Sequence, residues 1–416
     1  METNSRNKLK LLVLCQLFYP ELVSTGQTLT ELCEVLSDSS LEVEVVCGPP
    51  TISNRKTRVP LHLEYKRIKI RRVWGTRFSK LTFLGKLINH VTYISSVFFY
   101  LLFEHSKRPI LVLTNPPLLG VICAILRAIG GKPYIYLVFD VYPDTAINLG
   151  LIKEKGMIAR HWDWWNRFIF KHASSIIVIG RCMREVIIKK GKKLYSFPDK
   201  VQVVHIWSDD RLIQPIPRVM NPFVKKWNLN GKFVVVYSGN MGLFHDMETI
   251  MEATKELTIY KDIEFLFIGE GHKKRWMKEF ASKWNLANCQ FHTYVDRRDL
   301  GSSLSCAHVG LVSLAAGQEG LSVPSKTFGI LAAGVPVIGI MSRNSEVALI
   351  LEENRCGIVT EPGNVKGLMD AIITLYSDSN LRNLMGKNGR DAINKKYNLI
   401  EAAIKYKSII DSVQRY

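Results

Sequence analysis

Short apolar runs alternating with helical patterns set the rhythm of the chain. Residues 11–14 (Leu-Leu-Val-Leu) read as a buried strand continuing towards Phe18, and loop 19–26 follows it. Leu29, Leu32, Cys33 and Leu36 then recur at the spacing of one helix face, and residues 41–47 return to strand. Strand, glycine-bearing loop, helix and strand make a βαβ unit, and in open parallel sheets ligands sit beyond the carboxyl ends of the strands. The pattern continues with strand 110–113, helix 118–129, strand 134–139, an aromatic helix at 160–168 and strands 175–179 and 201–204. A Rossmann-like first half is therefore predicted over residues 1–215, with a linker near Asn221-Pro222.

The alternation then restarts. Strand 233–237 leads into the glycine loop 238–242, and a helix over 247–257 begins behind Asp246. Strand 263–268 ends in Gly269-Glu270-Gly271, helix 276–284 follows, and 290–294 and 309–314 supply further strands. The polar loop 319–323 passes through Pro324-Ser325-Lys326 into a small-residue helix, stops at Gly334 and resumes as a strand at Pro336. The fold class is α/β, two doubly wound halves over 1–215 and 216–395, with residues 396–416 as a closing segment. No Gly-x-Gly-x-x-Gly follows either first strand, so neither half advertises a dinucleotide.

Composition narrows the partners. A formal charge of +19 over 416 residues predicts attraction to something anionic. Eight singly scattered cysteines, without a Cys-x-x-Cys pair or zinc spacing, read as reduced core residues of a cytosolic protein. The N-terminus lacks a small-residue cleavage site, so a short buried strand is expected there and not a signal peptide. From Lys66 to Phe103 the chain carries eight Lys and Arg and no acidic residue, then turns aromatic and apolar. Asn89, His90 and Ser95-Ser96 interrupt this run as a membrane span. It reads either as an interfacial helix on an anionic leaflet or as a core helix with a solvated basic flank. A nucleic-acid role is disfavoured, because the basic residues adjoin an apolar helix and not base-stacking aromatics on a sheet.

Candidate chemistry concentrates at strand ends. A lysine in the first turn of a helix is poorly placed for helix stability, so Lys326 is either solvated or opposed by an anion, which Ser325 and the helix N-terminus would help to hold. Gly26 is either a turn glycine or a close backbone approach to a ligand. Asp140 and Asp144 directly follow strand 134–139; they are candidates to orient sugar hydroxyls, or Asp144 caps the next turn.

Six motifs in register resemble the family 4 glycosyltransferases of the bacterial capsule, O-antigen and colanic-acid type. They are Tyr19-Pro20-Glu21 with Thr25-Gly26, residues 140–144 (Asp-Val-Tyr-Pro-Asp), residues 205–209 (His-Ile-Trp-Ser-Asp), residues 237–242 (Tyr-Ser-Gly-Asn-Met-Gly) with His245-Asp246, Gly269-Glu270-Gly271, and Pro324-Ser325-Lys326 with residues 332–338. The resemblance implies a GT-B architecture of two Rossmann-like domains facing across a cleft, nucleotide-sugar on the second, acceptor mainly on the first, and a final helix, about 399–410, crossing back to the first domain. It also implies a retaining, metal-independent transfer without a cofactor, from a nucleotide-diphospho-sugar to a lipid-linked (polyprenyl-diphosphate) saccharide, by a peripheral protein at the cytoplasmic face of the membrane. On this reading Lys326 takes diphosphate charge, Gly26 and Gly242 admit close backbone approach, Asp140 serves the reacting sugar or acceptor, and Glu270 with Tyr294 faces the nucleoside.

Two departures stand out. The family pairs donor phosphates with an Arg and a Lys in the loop where this chain carries Asn240 and His245. Counting back from Gly334-Val335-Pro336 puts Gly329 and Leu321 where two glutamates are expected, which leaves Glu319 as the stand-in for the sugar-contacting one. A sugar-nucleotide epimerase and a catalytically degenerate nucleotide-binding partner are the alternatives.

Overall fold

The computed structural model describes residues 9–21, 25–39, 41–51, 58–79 and 82–414. Residues 1–8, residues 22–24 of loop 19–26, and Lys80 of the basic stretch, all drawn on above, lie outside them. Two compact units are present, Met1–His205 with Ala402–Tyr416, and Ile206–Glu401. The second begins at Ile206 and not at 216, because Arg390 donates to the carbonyls of Asp210 (3.0 Å) and Ile213 (2.7 Å).

The first unit runs β1 (Lys10–Leu14), α1 (Thr25–Asp38), β2 (Glu42–Cys47), β3 (His62–Tyr65), β4 (Ile68–Arg72), α2 (Phe83–Phe103), β5 (Ile110–Leu113), α3 (Leu119–Ala128), β6 (Tyr134–Val138), α4 (Asp144–Asn148), α5 (Met157–His172), β7 (Ser175–Val178), α6 (Arg181–Gly191), α7 (Phe197–Lys200) and β8 (Val201–Val203). Its sheet has the order β3-β4-β2-β1-β5-β6-β7-β8, parallel except for the β3–β4 pair. Strands β1, β5, β6 and β7 are almost wholly buried, as unbroken apolar runs in a parallel sheet should be.

The β3–β4 hairpin is not foreshadowed by the expected basic stretch. Tyr65 pairs with Ile68, and Lys66 and Arg67 form the turn at φ 45° and 63°. Ile68 and Ile70 point inward, whereas Lys69 bonds Glu42 at 2.7 Å, Arg71 reaches Glu44 at 3.3 Å and Lys66 reaches Glu34 at 2.9 Å. Tertiary pairing thus neutralises much of what reads in sequence as a solvated basic flank.

Helix α2 carries its polar interruptions without breaking. Asn89 is buried: its Oδ1 accepts from Phe78 N (2.9 Å) and Thr76 Oγ1 (2.8 Å), its Nδ2 donates to Phe78 O (2.9 Å), and its carbonyl accepts from Gln16 (3.1 Å). Tyr93, Val97 and Leu101 are also buried, with Tyr93 Oη donating to Val46 O at 3.0 Å. By length and composition the helix is long enough to cross a membrane, yet this inner face is fixed to the unit.

The second unit runs α8 (Pro222–Lys226), β9 (Phe233–Ser238), α9 (Met247–Glu256), β10 (Ile263–Ile268), α10 (Lys274–Lys283), β11 (Cys289–His292), α11 (Leu300–Ser305), β12 (Val309–Ser313), α12 (Lys326–Ala332), β13 (Val337–Ile340), α13 (Glu346–Glu353), β14 (Gly357–Thr360), α14 (Val365–Ser377) and α15 (Ser379–Lys396). Its all-parallel sheet has the order β11-β10-β9-β12-β13-β14. Within the unit that is third, second, first, fourth, fifth, sixth, so winding reverses between β9 and β12, where open α/β sheets form a ligand crevice. Helix α16 (Leu399–Gln414) then joins the first unit, where Tyr406 is buried and Lys407 donates to Ser39 O at 3.2 Å.

Candidate functional site

Three loops meet at the carboxyl ends of β9, β10 and β12. The loop after β9 and the one after β10 zip together: Gly239 N donates to Ile268 O (2.8 Å), Met241 N to Glu270 O (2.8 Å) and Lys273 N to Met241 O (2.9 Å). Their glycines are obligatory there. A Cβ on Gly269, at φ 134°, would lie 2.1 Å from Gly239 O, and one on Gly271, at φ 154°, would lie 2.5 Å from Met241 O. The loop after β12 joins through Ala315 N, which donates to Phe244 O at 2.8 Å.

Lys326 reaches into this junction. Its Nζ donates to Tyr237 Oη, lies 3.5 Å from Asn240 O and sits 4.0 Å from the centre of the Tyr237 ring. No carboxylate partners it among the described residues, and desolvation pulls its pKa well below that of a free lysine. Gly239 clears its path, since a Cβ there would stand 3.2 Å from Lys326 Cε. His245 flanks the same ring, 6.2 Å between centroids; burial first, then Lys326 and Lys273, take its pKa down to about 2, so it stays neutral. Its Nδ1 is buried without a hydrogen-bond partner.

The helix behind Lys326 contributes less than its sequence promises. Helix α12 has seven residues, Ser325 caps nothing with its exposed side chain, and Thr327 N and Phe328 N already donate to Pro324 O and Ser325 O. The positive feature is therefore the amine and not the helix dipole.

Glu270 and Tyr294 do come together. Glu270 is half-exposed, with Oε1 held by Lys274 at 2.8 Å, and the Tyr294 ring is close enough that a Cβ on Gly269 would meet its edge at 3.2 Å. Burial raises the Tyr294 pKa, with the Glu270 carboxylate adding to the effect. Lys274 was not foreseen: nearly buried, it also donates to Gly269 O at 2.6 Å and His292 O at 2.9 Å. Tyr237 was not foreseen either. Gly242 is buried, and Asn240 folds over it, its Nδ2 2.6 Å from where a Cβ would stand. Glu319 is half-buried on the β12–α12 loop without a hydrogen-bond or ion-pair partner among the described residues. A Cβ at Gly329 would meet Ile213 and Leu304 methyls at 3.6 Å, so that position looks into apolar packing.

Gly26 and Asp140 belong to the first unit. A Cβ on Gly26 would stand 2.7 Å from Glu21 O, so close packing of α1 already demands a glycine. Asp140 follows β6 and lines a small cavity with Thr114, Tyr142, Trp162 and Asn166; burial raises its pKa to about 6, and Lys86 opposes the shift. Asp144 is engaged by Lys190, 2.6 Å away, which also binds Asp163 at 2.8 Å.

Two Rossmann-like units, the second presenting at its switch point an amine with no carboxylate partner among the described residues, define a GT-B fold. A family model for glycosyl transferases group 1 matches residues 220–392, and one for a glycosyl transferase 4-like domain matches residues 25–207; the chain belongs to this glycosyltransferase family. It is 29% identical over 244 residues to the probable glycosyltransferase WbjE of Pseudomonas aeruginosa, a match covering 59% of this chain and 60% of that relative. It is 24% identical over 381 residues to the putative colanic acid biosynthesis glycosyl transferase WcaI of Escherichia coli strain K12, covering 88% and 91%. Among solved structures it is similar to Anabaena HepE in complex with UDP and glucose, with a TM-score of 0.74 and 13% identity over 97% of this chain and 100% of that one.

Proposed function

We propose that the protein is a retaining glycosyltransferase of surface polysaccharide biosynthesis, moving a sugar from a nucleotide-diphospho donor bound by the second unit to a lipid-linked saccharide bound by the first. The observation that carries this is Lys326, an amine at the switch point whose partners are all uncharged. Such a cation is preorganised for the diphosphate, whose charge grows as the sugar leaves, so that it stabilises the transition state more than the ground state. The sugar would depart as an acceptor hydroxyl attacks from the same side. Glu270 and Tyr294 would face the nucleoside, and Glu319, without a hydrogen-bond or ion-pair partner among the described residues, would meet the sugar. Asp140, held partly protonated near neutrality by burial, orients the acceptor. Lys326→Ala tests the reading: affinity for the tightest binder among UDP, GDP and dTDP should fall roughly ten- to a hundredfold, the loss of one charge-assisted bond. Unchanged binding and turnover would refute it.

Helix α2 supports placement at a membrane surface. Leu84, Leu87, Ile88, Val91, Phe99, Leu102 and Phe103 form an exposed apolar stripe along its outer face, and the segment pinned by Asn89 adds Trp74 and Phe78. Lys86 stands in the first turns of the same helix. An apolar face with a basic end, anchored by its other side to a folded unit, lies in an interface and does not span it. Flotation with vesicles containing anionic lipid should carry the protein up, and Val91→Glu with Phe99→Glu should abolish this. Equal flotation of the variant would exclude α2 as the membrane face.

A further inference from the structure

We propose that Tyr237 is the positioning residue of the anion site: its hydroxyl holds the Lys326 amine and the Asn240 carbonyl in a single arrangement, ready for a nucleoside diphosphate. This rests on Lys326 being the diphosphate cation, and adds a residue that touches no ligand itself.

Strand β9 is apolar from Phe233 to Val236, and Tyr237, fully buried, breaks that run with one hydroxyl. A buried hydroxyl without partners is costly, so its bonds show what it is there for. It has one proton and two lone pairs. The proton goes to Asn240 O at 2.9 Å, and a lone pair takes the Lys326 amine. These two bonds run into the site, and the Ser313 side chain at the end of β12 stands beside the same oxygen. With Asn240 O as its second acceptor, the amine has one N–H left to offer a ligand. A lysine otherwise loses much side-chain freedom on binding, and here that ordering is done in advance. The ring beneath the amine belongs to the same buried core cluster as Met241 and Met247, so the platform is closely packed.

The test is a double-mutant cycle of Tyr237→Phe and Lys326→Ala, read by calorimetric titration of UDP, GDP and dTDP at a series of pH values. Phenylalanine keeps the ring and its packing and removes only the oxygen. Tyr237→Phe alone should lower the melting temperature by only a few degrees, from the bond lost at the Asn240 carbonyl, and weaken binding roughly three- to tenfold, the range for one hydrogen bond. The titratable groups around the amine are Tyr237 itself, Tyr294 beyond Gly269, His245 and, beyond it, Lys273; His245 stays neutral throughout and burial raises both tyrosines, so the first alkaline fall in affinity reports Lys326. Losing an acceptor destabilises the ammonium, and that fall should move to lower pH in Tyr237→Phe. In the Lys326→Ala background the same change should have no effect. Equal weakening in both backgrounds, or lowered melting temperature with parental affinity and pH profile, would overturn the proposal. Parental affinity of Lys326→Ala would instead refute the underlying site reading, and is seen independently.

Discussion

Lys274→Met removes the charge from the residue that ties three site elements together while keeping most of its apolar stem. Lys274 is the first residue of α10, where the helix dipole disfavours a cation, and its side chain is only 9% exposed. It is tolerated because Nζ donates to Gly269 O at 2.6 Å, Glu270 Oε1 at 2.8 Å and His292 O at 2.9 Å, satisfying the ends of β10 and β11 together. The Glu270 bond is worth little, since that carboxylate is half in water. The two carbonyls matter more: each loses a charged donor in a confined place, about 1–2 kcal/mol apiece, and the methionine stem restores no polar bond. The sum is about 3 kcal/mol, which for a unit of this size lowers the melting temperature by about 6–12 °C. Scanning calorimetry measures it, and Trp276 and Trp284 on and beside α10 report the same transition by fluorescence. A fall of less than about 2 °C would show that Lys274 is not what holds the loop after β10.

Four further substitutions separate packing from charge. Asp140→Asn should stabilise the protein at pH 8: the native carboxyl, raised to about 6 by burial, resists ionisation that the unfolded chain accepts, so stability falls as pH rises from about 4 to 6. The gain, about 3 kcal/mol, should all but vanish at pH 4, and a variant no more stable than the parent at pH 8 would contradict the burial argument. His308 accepts from Val234 N at 2.9 Å, and burial, with Arg218 and Arg382, lowers its pKa to about 3. Stability is therefore lost as pH falls from 6.5 towards 3, by up to about 1.4 kcal/mol per pH unit, and His308→Asn, which keeps an acceptor, should flatten the melting-temperature slope between pH 6.5 and 4.5; parallel slopes would exclude it. Gly269→Ala should cost more than Lys274→Met because its Cβ meets backbone, whereas Gly363→Ala, with nothing within 4 Å at φ 81°, should cost only about 1–2 kcal/mol; equal melting temperatures would mean that the loops after β9 and β10 are not zipped as described.

Most strands of both sheets, β3, β4 and β14 excepted, were legible because buried parallel strands write themselves as unbroken apolar runs, and the restart at residue 233 announced the second unit. Other features depend on partners brought in from afar. Residues 66–72 read as a basic stretch because Ile68 and Ile70 are interleaved with Lys69 and Arg71, and only strand pairing places Glu42 and Glu44 beside those charges. Asn89 reads as a flaw in an apolar helix, whereas its amide holds the preceding segment in place. Lys326 stood out because a cation at a helix start is locally unfavourable. Tyr237 and Lys274 did not, because three of their bonds go to the carbonyl oxygens of Asn240, Gly269 and His292, and a carbonyl leaves no mark in a sequence. Gly329 shows another limit: read in sequence as a missing carboxylate, it stands partly exposed, with Ile213 and Leu304 methyls 3.6 Å from where a Cβ would lie.

The net charge of +19 is also a poor guide to where an anion binds. Lys66, Lys69 and Arg71 are paired with glutamates, Arg108 sits between Glu44 and Glu104, and Lys190 lies between Asp144 and Asp163. Each paired charge presents a nearly neutral group to an approaching ligand, and exposed ones are screened within about 10 Å. Lys326 differs in kind. Its surroundings are a ring face, a hydroxyl and a carbonyl, which orient the amine without cancelling its charge. Enclosure there lowers its pKa, and a diphosphate would raise it again, so ligand binding and protonation of this one amine reinforce each other. On the proposed reading, affinity for the anion would follow from that coupling at a single residue, and not from the total charge of the chain.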